Sequence, residues 1–269
     1  MKYTLLLDFD ECLARQNRAA GIARVKAMLK EIAGPKAEEA GNDFGQIYHD
    51  MDSILHDNKE PGLLLLKNRI NSYTVKLPKE LKSQKIDFMW SRELWLKHVS
   101  DKHGLNIDNK TIISIIEGYW NAIASSSPLY PQARKYLEKL DKSKVFIVTG
   151  SDKTLVADGK GFAYDSSMAE KRKISRIVKQ GITMLPKTHI ITGDPHDKPS
   201  DEFWKTAMKR AGLKEPAEGI IVEDSLSIVL SAMKFGFKGY LLDRHKFYDR
   251  KDAEKQVDGY ITELNQLPI

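Results

Sequence analysis

The sequence predicts an α/β fold, in which a doubly wound, mostly parallel, Rossmann-like sheet carries an inserted α-helical cap domain. Two observations predict it. Short continuous apolar runs bounded by turn residues recur along the chain, and segments with helical spacing of apolar residues lie between most of them. Continuous apolar runs are typical of strands buried on both faces of a parallel sheet. Their alternation with helices favours a doubly wound architecture.

Six apolar runs are the candidate strands of this sheet, and most of them end in polar residues. They cover residues 4–7, 145–148, 189–192, 220–222, 239–243 and 259–261. The helices expected between the later runs cover residues 131–140, 199–211 and 225–235. A proline near the start and a glycine just after the end of the segment 199–211 are the usual boundaries of a helix.

The block between the first and second runs has a different pattern. It has no strand-like alternation, and its apolar residues favour helices over residues 18–32, 43–56, 87–103 and 109–124. A helical block inserted between two strands of a sheet is expected to form a domain of its own. We therefore expect a core domain of residues 1–14 and 128–269 and a helical cap domain of residues 15–127.

Composition indicates a globular, cytoplasmic protein. The 269 residues are 41% hydrophobic and 30% charged, which is typical of a folded domain rather than a disordered chain. No apolar run approaches the roughly 20 residues that a membrane-spanning helix needs, and the apolar stretch near the N-terminus is too short for a signal peptide. The single cysteine, Cys12, excludes an intrachain disulfide framework and a zinc site built from several cysteines.

The net charge of +6 could indicate a nucleic acid, an anionic lipid or a phosphorylated small molecule as partner. The basic residues are spread along the chain and mixed with acidic ones, without an arginine-rich arm. The ordinary explanation is a lysine-rich, solvated surface, and we expect neither a nucleic-acid nor a membrane partner. A small phosphorylated substrate stays compatible with this charge, and the chain is expected to be a monomer or homodimer.

Polar residues follow four of the predicted strands, at the edge where an open α/β sheet binds its ligands. These residues are Asp8 and Asp10, Thr149 with Gly150 and Ser151, Lys198, and Glu223 with Asp224. Each group alone has an ordinary explanation as a turn or helix-start residue. Together, carboxylates that suit Mg²⁺ and a lysine that can neutralise a phosphoryl group form a coherent site.

The same segments resemble the four motifs of the haloacid dehalogenase-like superfamily, in its members with a helical cap after the first motif. The matching segments are residues 8–13, 145–151, 193–203 and 221–225, and residues 258–264 resemble the usual C-terminal ending. The resemblance covers residues 1–14 and about 128–269. It implies a Mg²⁺-dependent phosphohydrolase.

The resemblance also implies the chemical roles. Asp8 would attack phosphorus and form an aspartyl-phosphate, while Asp10 would protonate the leaving oxygen and then activate water. Mg²⁺ would be held by the Asp8 carboxylate, the main-chain carbonyl of Asp10 and Asp224, with Glu223 close by or bound through water. The dehalogenases of the superfamily lack the second aspartate, so Asp10 favours phosphoryl transfer.

Substrate binding is implied for two groups of residues. Thr149 and the amides of Gly150 and Ser151 would hold phosphate oxygens, and Lys198 would pair with both Asp8 and the phosphate. The cap would select the rest of the substrate. Its candidates are Arg15, Arg18, Tyr48, His49, Arg69 and Trp120. Arg15 and Arg18 are the better candidates because they lie just past the nucleophile loop.

Two residues depart from the first motif. Glu11 replaces the usual glycine, which often marks a positive φ, so it is expected to strain the turn or to add a carboxylate beside the site. Cys12 replaces the usual threonine or valine, and a buried, inert thiol is expected there. Two alternatives to a phosphatase stay open: a phosphomutase with the same nucleophile, and a non-catalytic protein that binds a phosphorylated ligand or acts as a scaffold.

Overall fold

A computed structural model describes residues 2–55 and 60–268 of the chain. Its strands are β1 Thr4–Leu7, β2 Val75–Lys76, β3 Val145–Thr149, β4 Leu155–Asp158, β5 Gly161–Tyr164, β6 Ile190–Thr192, β7 Gly219–Glu223, β8 Lys238–Leu242 and β9 Gly259–Ile261. Its longer helices are α1 Arg18–Ala33, α2 Ala37–Leu55, α3 Pro61–Asn71, α4 Arg92–Lys102, α5 Asn109–Ser126, α6 Pro131–Lys139, α7 Ser166–Lys179, α8 Asp201–Arg210, α9 Leu226–Phe235 and α10 Arg250–Glu254. The last residue of the helix predicted at 43–56 and the chain ends, residues 1 and 269, lie outside the described residues.

The main sheet has six strands in the order β6-β3-β1-β7-β8-β9, and every neighbouring pair is parallel. The strand β1 lies inside it, with Leu5 opposite Val145 of β3 on one side and Ile220 of β7 on the other. A parallel sheet aligns the carboxyl ends of its strands along one edge. The predicted α/β, Rossmann-like fold class is therefore confirmed.

Helices cover both faces of this sheet, because successive strand residues point to opposite sides. Leu5 and Leu7 belong to one apolar cluster with residues of α6 and α7, such as Leu137. Leu6 belongs to another, with residues of α8 and α9, such as Trp204. The three leucines of β1 are thereby buried on both faces of the sheet, as the continuous apolar runs predicted.

The chain forms two compact units. The core unit consists of Met1–Gln16, Ser127–Ser151 and Arg172–Ile269, and the inserted unit of Asn17–Ser126 and Asp152–Lys171. In the inserted unit, α1 packs on α2 and α5. At Gly21 of α1, an added Cβ would lie 2.6 Å from the Tyr119 ring, so glycine permits the close approach of α1 and α5.

The inserted unit differs from the expected helical cap in one segment. Residues 152–171, which the sequence assigned to the core, carry the hairpin β4–β5, and β5 also pairs with β2 in a three-stranded sheet. The apolar side chains of Leu155, Phe162 and Tyr164 lie in the apolar core of this unit. The hairpin buries its side chains there, and the unit is therefore helical with a small sheet rather than purely helical.

Within the described residues, no helix combines the length and the apolar character that crossing a membrane requires.

Candidate active site

Asp8 directly follows β1 at the carboxyl edge of the main sheet. Its main-chain N–H donates to the carbonyl of Val222 at 2.9 Å, so the pairing of β1 with β7 extends to this residue. Asp8 is 4% exposed, and its Oδ1 accepts a hydrogen bond from Lys198 Nζ at 2.5 Å. A carboxylate held by strand pairing on one side and by an ammonium on the other is fixed in position.

Lys198 joins the third and fourth motifs to the first. Its buried ammonium donates to Asp8 and also to Oε2 of Glu223, the last residue of β7. Burial alone would lower the pKa of Lys198, but the two carboxylates outweigh it and raise that pKa. The predicted convergence of Asp8, Lys198 and Glu223 is therefore present in the structure.

The acidic groups at this edge hold protons more tightly than usual. Burial, together with the neighbouring Glu223, raises the pKa of Asp8 to about 8. Burial is also the main cause that raises the pKa of Glu223 to about 8, and burial with Asp8 raises that of Asp224 to about 6. With all three carboxyl groups deprotonated, their charge would exceed that of the Lys198 ammonium, and a divalent cation would neutralise the excess.

A group of potential metal ligands lies at the same edge. One ligand atom each of Asp8, Cys12 and Asp224 lies within 4.8 Å of the others. Two carboxylate oxygens suit Mg²⁺, which keeps several waters and takes one or two carboxylates from a protein. The donor set and the excess of negative charge therefore fit a divalent cation. Glu223, also predicted as a metal ligand, has one carboxylate oxygen occupied by Lys198.

Asp10 lies in a different environment from Asp8, although only one residue separates them. Its Oδ2 accepts hydrogen bonds from Lys173 at 2.6 Å and from Arg176 at 3.4 Å, and its Oδ1 accepts one from the Gln16 amide. Burial would raise the pKa of Asp10, but the charges of Lys173 and Arg176 outweigh it and lower that pKa below its usual range. Asp10 is therefore held as a carboxylate.

Lys173 and Arg176 were not predicted from the sequence. They are three residues apart on α7, which places them on one side of that helix, and both are buried. In the sequence they belong to a basic stretch that is typical of a solvated helix surface. The spacing of the lysine and the arginine indicates that the two side chains lie on one side of a helix. Nothing in the sequence identifies Asp10 as their partner.

The predicted phosphate-binding residues Thr149, Gly150 and Ser151 lie at the end of β3 and directly after it. Thr149 is fully buried, and the hydroxyl of Ser151 donates to Asp194 in the loop after β6. An added Cβ at Gly193 would lie 2.8 Å from the carbonyl of His196 and 3.7 Å from the Cα of Gly150. Glycine at 193 therefore permits the loops after β3 and β6 to approach each other closely.

Glu11 adopts a φ of 62°, as a residue in a glycine position is expected to do. Its carboxylate accepts hydrogen bonds from the main-chain N–H of Gln16 at 3.0 Å and from the hydroxyl of Tyr130 at 3.1 Å. His245 Nε2 lies 3.7 Å from the same carboxylate. These contacts offset the strain of the left-handed conformation, so the side chain of Glu11 stabilises the turn that follows Asp8.

The last two predicted features are the cap-side arginines and the thiol. Arg15 is exposed in the core unit, whereas Arg18 belongs to the inserted unit, where its guanidinium lies 4.7 Å from the centroid of the Tyr48 ring. Cys12 is 1% exposed, and burial raises the pKa of its thiol. The expectation of a buried Cys12 is confirmed.

Comparison with solved structures shows the same fold at low sequence identity. A HAD phosphatase from Thermococcus onnurineus matches with a TM-score of 0.54 and 16% identity, over 98% of this chain and 94% of that one. The HAD-hydrolase YfnB from Bacillus subtilis matches with a TM-score of 0.56 and 12% identity, over 98% and 96%. A 2-haloacid dehalogenase from Pseudomonas syringae pv. Tomato DC3000 matches with a TM-score of 0.53 and 16% identity, over 100% and 97%.

A search of curated proteins gives no significant match. The family model described as haloacid dehalogenase-like hydrolase matches residues 4–236, a span that includes all four motif segments and the inserted unit. The chain therefore belongs to the haloacid dehalogenase-like hydrolases.

Proposed function

We propose that the chain is a Mg²⁺-dependent phosphatase that hydrolyses a small phosphorylated metabolite through an aspartyl-phosphate on Asp8. The observation that carries this proposal is Asp10, which lies two residues after Asp8 with its carboxylate held by Lys173 and Arg176. The dehalogenases of the superfamily lack this second aspartate, and halide departure needs no proton. A second carboxylate is useful when a leaving oxygen has to be protonated and a water has to be deprotonated.

The reaction proceeds in two steps. In the first, a carboxylate oxygen of Asp8 attacks phosphorus, the ester P–O bond breaks, and the leaving oxygen takes a proton from Asp10. In the second, Asp10 takes a proton from water, the water oxygen attacks phosphorus, and phosphate leaves with regeneration of Asp8. The covalent intermediate divides one difficult displacement into two easier steps. The first step also gains because the attacking carboxylate is already fixed in position.

Positive charge is needed where the phosphoryl group would lie. Lys198 donates to Asp8, so its ammonium orients the nucleophile and lies close enough to neutralise an oxygen of the transferring group. Mg²⁺, when bound by Asp8, Asp224 and the main-chain carbonyl of Asp10, would supply Lewis-acid neutralisation of the same group. Binding of magnesium by the similar hydrolase YfnB supports this choice of cation.

The ion pairs of Asp10 bear on which phosphates are good substrates. Since Lys173 and Arg176 favour the carboxylate form of Asp10, protonation of the leaving oxygen is the harder of its two tasks. Aryl and acyl phosphates have leaving groups that need little protonation. We therefore propose that the enzyme hydrolyses these faster than simple alkyl phosphates.

The proposal is tested with a panel of phosphorylated metabolites, with and without Mg²⁺, in which phosphate release is measured beside halide release from 2-haloacids. Phosphate release that requires Mg²⁺ supports the proposal, and release of halide alone contradicts it. Isomerised sugar phosphate without net hydrolysis would identify the mutase alternative. Binding without turnover of any compound would identify the non-catalytic one.

A further inference from the structure

We propose that Gln16 is a positioning residue for Asp10, that Glu11 acts through Gln16, and that Asp10 exchanges protons through its Oδ1 atom. The inference rests on the proposed function, because it concerns the residue that would serve the two proton transfers. It gives a role to Glu11, which stands where the resembling motif usually has glycine, and to Gln16, which lies outside the motif segments.

The two carboxylate oxygens of Asp10 have different numbers of hydrogen-bond partners. Each oxygen of a carboxylate offers about two acceptor positions. Oδ2 accepts from both Lys173 and Arg176, whereas Oδ1 accepts from the Gln16 amide alone within the described part of the chain. The side chain of Asp10 is 32% exposed, compared with 6% for that of Asp8. Oδ1 is therefore the oxygen with an acceptor position left for water or for a leaving oxygen.

Gln16 determines the direction of that position. The last torsion angle of an aspartate side chain has a broad energy minimum, so Lys173 and Arg176, which hold Oδ2, leave Oδ1 able to rotate. A proton transfer requires a distance of about 2.6–3.2 Å between the two heavy atoms, and a rotated Oδ1 would lie outside this range. The amide of Gln16 holds the second oxygen and thereby fixes the orientation of the whole carboxylate.

The loop after β1 folds back on itself and brings Gln16 to Asp10. The main-chain N–H groups of Leu13 and Ala14 both donate to the carbonyl of Phe9 at 3.0 Å, and Asp10 pairs with Ala14 in an isolated β-bridge. Gln16 is the second residue after Ala14, so its side chain can reach a carboxylate six residues earlier. The contact therefore depends on where the main chain of Gln16 lies.

Glu11 holds the main chain of Gln16 in this position. Its Oε1 accepts the Gln16 N–H at 3.0 Å, and its Oε2 accepts the Tyr130 hydroxyl at 3.1 Å. Tyr130 is itself held by the same loop, because its main-chain N–H donates to the carbonyl of Leu13 at 2.9 Å. A glycine at position 11 would offer neither side-chain acceptor. The path from Glu11 to the carboxylate of Asp10 thus runs through Gln16.

The test separates the two chemical steps on the whole protein, with labelled acyl phosphate in single-turnover experiments. An acyl leaving group needs little protonation, so entry of label reports on the nucleophile and on phosphate binding. Release of label requires a water that Asp10 deprotonates, so it reports on the orientation of Oδ1. A loss of structure alone would slow both steps, whereas a loss of positioning slows release selectively.

Gln16→Met keeps the length of the side chain and removes its amide. We expect label to enter this variant at close to the wild-type rate and to leave it about tenfold more slowly, which is part of the roughly 10²–10⁴-fold that a general base contributes. Gln16→Asn, whose amide is one methylene too short to reach Asp10, should show the same selective slowing. It gives the comparison in a polar side chain if the methionine variant is unfolded.

Arg244→Met is the structural control. Arg244 donates to the carbonyl of Cys12 at 3.1 Å, in the same loop as Gln16, but its contact does not involve the carboxylate of Asp10. We expect this variant to lower Tm and to leave the ratio of release to entry as in the wild type. Circular dichroism establishes that all variants are folded.

The role of Glu11 is tested with a double variant. Glu11→Ala should slow release, and Glu11→Gln, which keeps an oxygen acceptor for the Gln16 N–H, should slow it less. If Glu11 acts through Gln16, then Glu11→Ala should add little further slowing to a chain that already carries Gln16→Met. The two effects would then be strongly non-additive.

Three results would count against the inference. Release at the wild-type rate from folded Gln16→Met and Gln16→Asn variants would overturn the role of Gln16. Additive slowing in the double variant would overturn the path from Glu11 through Gln16. A wild-type protein that takes no label from acyl phosphate would contradict the proposed function itself and overturn the inference with it, and this failure is recognised before any variant is made.

Discussion

The ammonium of Lys173 lies 2.6 Å from Oδ2 of Asp10, a residue 163 positions earlier in the chain. Because of this contact with α7, the two aspartates of the first motif have different pKa shifts. The pKa of Asp8 is raised to about 8, whereas that of Asp10 is lowered by Lys173 and Arg176. In the metal-free protein these shifts are the reverse of what the proposed roles need, because a nucleophile reacts as a carboxylate and a general acid has to hold a proton. A divalent cation beside Asp8 would favour its carboxylate form.

Replacement of Lys173 by methionine should change the substrate preference. Loss of its charge raises the pKa of Asp10, so a larger fraction of Asp10 carries the proton that an alkyl leaving group needs. We expect the ratio of kcat/KM for alkyl over aryl phosphates to rise, and the alkaline fall of the alkyl profile to move to higher pH. Lys173→Arg, which keeps the charge, is the control. An equal fall for both substrates with an unchanged pH profile would show that Lys173 has only a structural role.

Stabilisation of the protein by Mg²⁺ should increase with pH. The pKa values of Asp8 and Glu223 are raised to about 8 and that of Asp224 to about 6, whereas carboxyl groups of unfolded chains titrate near 4. Between these values the folded state binds more protons than the unfolded state, so the free energy of unfolding of the metal-free protein falls as pH rises from about 4 to about 8.

Mg²⁺ binds the deprotonated carboxylates, so it has to displace protons at low pH and not at high pH. We expect the rise in Tm on addition of Mg²⁺ to be larger at pH 8 than at pH 5.5, as measured by thermal unfolding with chelator as the reference. Asp224→Asn should reduce both the rise and its pH dependence. A rise of equal size across this range would contradict the assignment of the cation to these carboxylates.

The positions of the site residues at strand ends could be predicted because they follow from the sheet. Parallel strands bring their carboxyl ends to one edge, so Asp8, Glu223 and the loop with Lys198 had to converge once the apolar runs were recognised as strands. The contacts of Asp10 with Lys173 and Arg176 could not be predicted in this way. They depend on how α7 lies on the sheet. Apolar periodicity predicts that a helix forms, but it does not determine the position of that helix accurately enough to predict individual hydrogen bonds.

The hairpin β4–β5 was missed for a related reason. Its strands Leu155–Asp158 and Gly161–Tyr164 have only four residues each, and in the second strand buried and half-buried residues alternate. Alternation over four residues is a weak signal, and Gly159 between them, with a φ of 59°, is the turn residue that marks the hairpin. Their burial against the helices of the inserted unit is a long-range property that the local sequence does not contain.

The buried guanidinium of Arg92 should be important for the stability of the inserted unit. It lies 3.9 Å from the centroid of the Trp95 ring, donates to the carbonyl of Trp90 and lies 3.5 Å from the carboxylate of Asp152. We expect Arg92→Met to lower the free energy of unfolding in urea by about 2–3 kcal/mol, somewhat less than for a fully buried ion pair because the side chain of Asp152 is 20% exposed.

The double variant Arg92→Met with Asp152→Asn distinguishes the ion pair from the ring contact. If the unpaired carboxylate of Asp152 is the main cost, its neutralisation should restore part of the lost stability. Arg92→Lys should not restore it, because an ammonium lacks the planar group that stacks on Trp95. Full stability of the Arg92→Met variant would show that apolar packing alone holds this region.

Glu11 offers a matched pair of substitutions. Glu11→Gly removes the hydrogen bonds from Tyr130 and Gln16 but also the strain of a φ of 62°, whereas Glu11→Ala removes the same bonds and keeps the strain. We expect both variants to be less stable than the wild type, and the alanine variant to be less stable than the glycine variant by about 1 kcal/mol. Thermal and urea unfolding measure the difference. Equal stabilities would mean that the turn relaxes when the side chain is shortened.

The roles of Asp8 and Asp10 are separated by trapping the phosphoenzyme with labelled acyl phosphate in a rapid-quench experiment. Asp8→Asn leaves no covalent route, so turnover and bound label should disappear together. Asp10→Asn should lose activity on the order of 10²–10⁴-fold, least for acyl and aryl phosphates. Since water is then activated poorly, this variant should accumulate label that the wild type releases quickly. Circular dichroism establishes that both variants are folded. Label retained by Asp8→Asn and absent from Asp10→Asn would show that the two roles are the reverse of those proposed.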